Sequence, residues 1–433
     1  MTRDDVQPAL QLSGAVVEGS GAMTTSLTGS ERRNFFSALW HGAFLALGTA
    51  LTQPTTVVAA FVADLTGSTI WVGGLSTVLT VAAALPQLLV ARWIERRPRK
   101  MPYLMLAIYL RVVSWGALAG LTYAVGASQP RLLAWVLVGL LAVFYAGGGL
   151  GGVPYTDIIG KIIPRERRGA FFGGRQALAG PLSVGAALLA REVLAGVPYP
   201  TSYALLFGLA AFSLLVASLG FWLIREPPRA DADGKVSSWQ EYAAQLREAA
   251  GRLRTLIGVE WLTGFSLMVL PFYVVYARQQ LGAPPGAVGW FMLAQVLGGV
   301  LGNLVWARLV DQHGSRQMLA SCAVVSMLTP LLAILLGPLG WIGLLPVIFL
   351  GGATFNGRAV GFSSALLELA PATERPTYSA LNVVLILPVA FLSLIAGVLL
   401  ERWSYPTLFL VAAGFIGMGA LLTRRLPGRA TQG

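Results

Sequence analysis

The sequence predicts an all-α integral membrane protein in which twelve transmembrane helices form two pseudo-symmetric six-helix bundles. Composition, a series of charge-free apolar runs and an internal repeat support this prediction. Of the 433 residues, 55% are hydrophobic and 12% are charged, which is about half the charged fraction of a typical soluble domain. The mean hydropathy is +0.69. These values exclude a soluble globular protein and, for most of the length, a disordered chain.

The apolar runs give the number of helices, because a helix needs about 20 apolar residues to cross about 30 Å of hydrocarbon. Seven charge-free runs suffice for one crossing each, and residues 317–357 suffice for two, divided by the turn at Gly337–Gly340. Three further spans contain a charged residue. The seven single runs are 34–63, 65–91, 132–156, 193–224, 279–307, 376–400 and 403–423, and the three charged spans are 101–125, 170–190 and 255–277.

The distribution of basic residues predicts the orientation. Of 31 Lys and Arg, three lie within spans and four lie in the loops on one side, which leaves 24 on the side of both termini. Cytoplasmic loops carry the excess of Lys and Arg. We therefore expect a multi-pass protein of the inner or plasma membrane with both termini in the cytoplasm. The net charge of +12 reflects this topology and does not indicate a nucleic-acid partner.

The domain organisation follows from the spans. We expect a disordered cytoplasmic tail (1–33), a first bundle (34–225), a cytoplasmic linker (226–253), a second bundle (254–424) and a short tail (425–433). The linker contains an amphipathic stretch, which predicts a helix lying on the inner leaflet. Its apolar positions are Trp239, Tyr242, Leu246 and Leu253.

The two predicted bundles repeat one another in sequence. The loops Ala91–Lys100 and Ala307–Arg316 both begin with Ala-Arg and continue with two apolar residues, an acid and a short basic turn. A second block keeps its spacing in both halves: Pro164, Arg168 and Pro181 recur as Pro371, Arg375 and Pro388. Such repeats are typical of secondary transporters.

The repeated loops resemble the signature loops of the major facilitator superfamily. Glu95, Arg96, Arg99 and Lys100 fit the first copy, and Asp311, Gly314 and Arg316 fit the second. Four positions depart from the signature: Ala91 and Pro98 in the first copy, and Ala307 and Ser315 in the second. In the family these loops latch helix ends in one gating state, so the resemblance implies gating roles for Glu95, Arg96, Asp311 and Arg316.

The resemblance also implies a function. It predicts a secondary active transporter that moves a small organic solute by alternating access, coupled to protons. Residues Gly180–Gly185 approximate the helix-5 motif of proton antiporters with a spacing shifted by one, which favours efflux. The helix-4 arginine motif that accompanies it is missing, so uptake symport stays open. The other alternative is a non-transporting membrane scaffold or assembly factor.

The sequence contains no pattern for an enzyme or for a cofactor. Gly160-Lys161 continues with Ile162 rather than Ser or Thr, so it is not a phosphate-binding loop. Two histidines and Cys322 supply no zinc-ligand spacing and no disulfide. We therefore expect no cofactor and no metal. The expected partners of a monomeric chain are a small-molecule solute, protons and the lipid bilayer.

Charged groups inside the bilayer are costly and are therefore functional candidates. Glu260 in helix 7 is the first candidate for a proton-linked group, with an interfacial carboxylate as the alternative. Arg358 in helix 10, beside Asn356, either binds an anionic group of the solute or holds Glu260. At 1.5 Å per residue the two charges have similar depth, so we predict that they pair.

The remaining candidates lie in the first half. Gln53 belongs to a polar break at Thr52–Thr56, which suits a kink that faces the solute. His41 on the same helix either titrates or serves as a packing residue. Asp157 and Arg175 are predicted to form a structural pair. Arg111 is expected to meet a carboxylate or carbonyl groups within the first bundle, and Asp64 to close helix 1.

Overall fold

The computed structural model describes residues 29–95, 97, 99–226, 239–371 and 374–427. The first span consists of α1 (Gly29–Leu51), a π-helical turn (Pro54–Val58) and α2 (Ala59–Thr66). The other helices of the first half are α3 (Thr69–Glu95), α4 (Met101–Val125), α5 (Pro130–Ile162), α6 (Arg168–Gly196) and α7 (Thr201–Trp222). Most of both predicted tails, and residues 227–238 of the predicted linker, lie outside the described residues.

The second half is helical in the same way. Its helices are α8 (Trp239–Thr263), α9 (Phe265–Gln280), α10 (Ala287–Leu336), α11 (Leu345–Leu369), α12 (Arg375–Ile386), α13 (Leu392–Leu399) and α14 (Tyr405–Leu422). The residues that the structure describes contain no β-strand.

The helix count confirms the predicted fold class. Within the described residues, eleven segments are long and apolar enough to cross a membrane. One of them contains α10, whose 50 residues are interrupted at Gly314 by non-helical dihedral angles (φ 81°, ψ 172°). Glycine adopts such a positive φ without steric cost. α10 is therefore two spans joined by a turn, which brings the count to twelve.

The first span is broken where the sequence predicts a kink. Gln53 has non-helical backbone angles (φ −54°, ψ 119°) immediately before Pro54. Proline lacks the N–H that would continue the helical hydrogen bonds. The break places a polar segment at mid-span, which a membrane protein tolerates where the backbone faces protein or a cavity.

The linker differs from its prediction. α8 runs without interruption from Trp239 to Thr263, so the amphipathic stretch and the start of the seventh span form one helix. Leu253 and Leu256 are fully buried, in a cluster with Tyr378 and Leu426. The prediction that this stretch lies on the membrane surface is therefore wrong for Leu253, which packs against protein because the helix continues directly into the bundle.

The two halves meet along three seams: α3 against α13, α6 against α10, and α2 against α9. We call the end of the molecule remote from Gly29 and Pro427, the first and last described residues, the distal end, and the opposite end the proximal end. Asp64, Arg278 and Thr69 lie at the distal end because each borders a loop between two spans on that side.

Candidate functional site

A cavity of about 520 Å³, which we call the central cavity, lies between the two halves near mid-span. Three of its polar lining residues come from the first half: Gln53, Gln176 and Ser183. Three come from the second half: Gln295, Asn303 and Asn356. Five of the six are carboxamides, and none of the described lining residues is charged. The cavity therefore offers hydrogen-bond donors and acceptors from both halves without a net charge.

The cavity's polar groups are held in different ways. The side chains of Gln295 and Thr55 are within hydrogen-bonding distance: Nε2 of Gln295 lies 2.8 Å from Oγ1 of Thr55, and Oε1 of Gln295 lies 3.0 Å from it. This contact joins α10 to the first span. The side-chain oxygen of Asn303, by contrast, is buried and has no hydrogen-bond partner. A buried acceptor without a partner costs free energy. Asn303 therefore has an acceptor that the described residues do not use, on a side chain that lines the cavity.

A second cavity, of about 430 Å³, adjoins the first and lies between α8, α11 and α12. Phe355 lines both cavities, so its ring forms part of the wall between them. The charged residues of the second cavity are Glu260 and Arg358, and its amide is Asn382. The polar interior therefore has an uncharged compartment at the interface and a charged compartment in the second half.

The structure brings Glu260 and Arg358 into the same site, and both are buried. The Arg358 guanidinium donates to the main-chain carbonyl of Glu260 at 3.2 Å and also to the Thr263 hydroxyl. The Glu260 carboxylate accepts from Nδ2 of Asn382 at 3.3 Å. The two charges interact electrostatically without a direct carboxylate–guanidinium bond. The predicted functional coupling of the two residues stays a prediction.

The predicted pair of Asp157 with Arg175 is wrong. Asp157 contacts Lys100 at 3.1 Å and Lys161 at 2.7 Å, while Arg175 donates to the Tyr155 hydroxyl at 2.9 Å. Residues four apart on one helix are neighbours on its surface. That spacing places Lys161 beside Asp157 on α5.

A second acid strengthens this cluster, and the sequence analysis missed it. Glu226 contacts Lys161 at 3.0 Å and accepts hydrogen bonds from the main-chain N–H groups of Lys100 and Met101. It therefore caps the start of α4, where the N–H groups have no partner within the helix. Glu368 plays a similar part in the second half, because it accepts from the N–H and the hydroxyl of Ser315 at 3.3 and 2.5 Å.

The gating loops are described only in part. Arg96 and the side chain of Glu95 lie outside the described residues. Asp311 is exposed and makes contacts, and Arg316 is half-buried. The latch role of the four residues stays a prediction.

His41 and Arg111 pack inside the first half. His41 is buried, with Nδ1 3.1 Å from the carbonyl oxygen of Ala217 and its ring against Phe221. These contacts match the packing alternative. The guanidinium of Arg111 lies 4.5 Å from the centre of the Phe144 ring, and its Nε has no hydrogen-bond partner. The expectation of a carboxylate or carbonyl partner for Arg111 is wrong among the described residues, since an aromatic face takes that place.

The distal end contains an ion pair between the halves that the sequence analysis did not identify. Arg278 at the end of α9 contacts Asp64 of α2, with Nη2 2.9 Å from Oδ2 and 3.0 Å from Oδ1. The Tyr203 hydroxyl lies 3.5 Å from the same carboxylate. The two charged residues are 214 positions apart. No local sequence pattern connects residues at that separation.

Close backbone contacts seal the distal end on either side of this ion pair. Thr69 on α3 donates to the carbonyl of Gly397 on α13 at 2.8 Å, and Thr77 donates to the carbonyl of Ala390, in the 3-10 helix before α13, at 2.7 Å. At the α6–α10 seam, a Cβ atom on Gly289 would lie 2.4 Å from the Cα of Arg191. We call these contacts, together with Asp64–Arg278, the distal seal. The central cavity lies on its proximal side.

This architecture defines a class of protein: a polytopic membrane protein with a polar cavity between two helical bundles. The sequence of residues 256–432 matches the family model of the Major Facilitator Superfamily. Among curated proteins, none matches the sequence significantly.

Solved structures of transporters have the same fold over almost the whole chain. A bacterial homologue of the iron transporter ferroportin in an inward-facing state has a TM-score of 0.69 at 15% identity, with 91% of this chain and 98% of that chain covered. A D-xylose-proton symporter has a TM-score of 0.66 at 14% identity, with 92% and 98% covered. The nucleoside transporter NupG has a TM-score of 0.62 at 13% identity, with 92% and 99% covered.

The resemblance to the major facilitator superfamily is thus confirmed. The family match covers the second half by sequence, and the fold extends the likeness to the first half. The chain is a multi-pass membrane protein whose fold resembles that of major facilitator transporters.

Proposed function

We propose that the chain is a secondary active transporter that moves a small organic solute by alternating access. The observation that carries this proposal is the central cavity, whose polar lining comes from both halves and which is sealed at one end by contacts between them. A rocking of the two halves would break the seal and close the proximal side while the solute stays bound at mid-span. A scaffold has no need for an uncharged polar cavity at that position.

The charge distribution supports an orientation. The proximal end carries both termini and most of the Lys and Arg residues, so the positive-inside rule assigns it to the cytoplasm. With that orientation the distal seal is extracellular, and the described conformation is inward-facing.

Glu260 is the proposed proton-linked group. It is buried, it lines the charged compartment, and its carboxylate is held by an amide rather than by a direct bond to Arg358. The carboxylate can therefore take up a proton without first breaking a direct hydrogen bond to Arg358. Protonation would remove the charge that attracts Arg358 and so change the contacts between α8, α11 and α12.

Export is the proposed direction, on the basis of the sequence Gly180–Gly185. Gly180 and Ser183 of this segment line the central cavity, and Pro181 lies within α6. If the protein instead takes up its solute together with protons, the proposed direction of transport is wrong.

Transport by purified protein in proteoliposomes tests the proposal. A thermal-shift screen against metabolite and drug libraries identifies a solute, and its counterflow and pH-driven movement are then measured under gradients of either sign. We expect Glu260→Gln to abolish pH-driven transport and to keep counterflow, which needs no net proton movement.

Glu248→Gln is the matched control for Glu260→Gln. Glu248 lies on the same helix but is exposed and paired with Arg252, so its substitution should leave both activities unchanged. Unchanged pH-driven transport in Glu260→Gln would remove Glu260 from the coupling mechanism. If none of the solutes that bind is transported into or out of the proteoliposomes, the scaffold alternative is favoured.

A further inference from the structure

We propose that the central cavity selects an uncharged, polyhydroxylated solute of monosaccharide to nucleoside size. This inference rests on the proposed transport function and adds the substrate class. It is carried by the five carboxamides of the lining, by the buried and unpartnered oxygen of Asn303, and by the absence of charge among the described lining residues.

Carboxamides suit hydroxyl groups because both can donate and accept. An Asn or Gln side chain offers two N–H donors and a carbonyl acceptor, so one carboxamide can bind two neighbouring hydroxyl groups of a solute. Gln295 is already engaged with Thr55. Asn303 has a free acceptor, and Gln176 is exposed to the cavity. These two side chains lie on opposite halves, so a polyol bound to both would bridge the halves.

The lining selects against other solutes for two separate reasons. A charged solute would lose its hydration without gaining a counter-charge, since Glu260 and Arg358 lie in the adjoining compartment beyond Phe355. An apolar solute would displace water from the carboxamides and leave them unpaired, which strongly disfavours binding. A polyhydroxylated solute avoids both penalties.

Size and shape agree with this class. A volume of about 520 Å³ falls within the range of small-molecule sites, about 300 to 1,000 Å³. Phe355 is the aromatic residue of the lining, and it is half exposed. Its ring offers an apolar surface for the C–H face of a sugar ring, while the carboxamides face the hydroxyl groups.

Matched ligand sets test the inference with the purified full-length protein. The probes are uncharged compounds, namely a panel of monosaccharides and nucleosides, each with a charged counterpart of similar size: the corresponding sugar acid, amino sugar or nucleoside monophosphate. A lipophilic cation, tetraphenylphosphonium, completes the set. We expect at least one uncharged member to raise the melting temperature and to drive counterflow, and its charged counterparts to do neither.

A substitution at Asn303 links the binding to the cavity. Asn303→Leu keeps the volume and removes the hydrogen bonds, and we expect it to weaken the binding of the uncharged ligand by about tenfold or more, which is the usual scale for a lost buried hydrogen bond. Asn303→Asp should shift the preference toward the amino sugar, because it places an anion in the cavity. The control is Asn34→Leu, which removes a buried amide on α1 that does not line the cavity.

The outcomes separate this inference from the transport proposal. Binding and counterflow of a charged or lipophilic solute, with no response to uncharged polyols, would overturn the substrate class and leave transport intact. Binding of a polyol that Asn303→Leu does not weaken would place its site elsewhere and would also overturn the inference. Binding of a polyol in the cavity without any counterflow would support the site and contradict the transport function.

Discussion

The distal seal and the central cavity share one pair of helices, α6 and α10, which carry side chains of different size in the two regions. Where α6 meets α10 at the distal end, Gly289 lies directly against the backbone of Arg191. Further along the same seam, Gln176 and Asn303 line an open cavity. Small residues let helices approach closely in a membrane, and longer polar side chains keep them apart.

The difference shows how one interface can hold a sealed end and a binding site. The seal consists of threonine hydrogen bonds to backbone carbonyls, a close glycine contact and one ion pair. Packed interfaces of this kind are not continuously deformable. The cavity consists of side chains that a solute can bridge. Three experiments test the comparison, and they are described from the largest expected effect to the smallest.

The largest effect is expected for Arg358→Ala in the second cavity, which adjoins the central cavity. Arg358 is buried and joins α11 to α8 through Thr263 and the Glu260 carbonyl. Its removal leaves the Glu260 carboxylate without a nearby cation, which should cost about 3 kcal/mol of stability. The measurement is the thermal unfolding of the purified protein in detergent, monitored by its tryptophan fluorescence.

The double mutant separates charge from packing. Glu260→Gln in the Arg358→Ala background should restore part of the lost stability, because the uncompensated acid is gone. Arg252→Ala, at an exposed ion pair on α8, is the control and should have little effect. Additive losses in the Glu260–Arg358 cycle would show that the two charges are not coupled.

A smaller effect is expected for Gly73→Val on α3, between Thr69 and Thr77 of the distal seal. A Cβ at this position would lie 2.0 Å from the carbonyl oxygen of Ser393, so the substitution must push α3 and α13 apart. Such overpacking costs about 1 to 3 kcal/mol, and it should shift the protein toward the distally open state. The measurement is maleimide labelling of Ser393→Cys in a background where Cys322 is Ala.

Gly74→Val is the matched control, because the nearest atom to a Cβ at Gly74 is a side-chain carbon of Leu394 at 3.7 Å, an ordinary contact. We expect more labelling for Gly73→Val than for Gly74→Val. Equal labelling of the two variants would show that the contact at Gly73 does not hold the seal closed.

The smallest effect is expected for the ion pair of the seal. Asp64→Asn and Arg278→Gln should show a coupling of about 1 kcal/mol in a double-mutant cycle, because both side chains are partly exposed. High salt should reduce the coupling, since exposed charges are screened. The exposed pair Glu248–Arg252 is the control cycle. A coupling that does not change with salt would contradict an electrostatic origin.

The sequence alone was sufficient for the features that depend on local properties. The length of an apolar run decides whether it can span a bilayer, so the twelve spans were predictable. Pro54 cannot continue a helical hydrogen-bond pattern, so the break in the first span was predictable too. The constant rise per residue along a helix placed Glu260 and Arg358 at similar depth, and the structure brings them into one site.

Only the tertiary structure decided which side chains meet across helices. Uncharged Gln176, Gln295 and Asn303 lie in apolar runs and have no sequence signal, so the carboxamide cavity emerged from the direction in which each helix faces. The pairing of Asp64 with Arg278 depends on two helix ends that are distant in sequence. The physical reason is the same in each case: hydropathy and helical rise are properties of one segment, whereas rotation and packing of a helix are set by all of its neighbours.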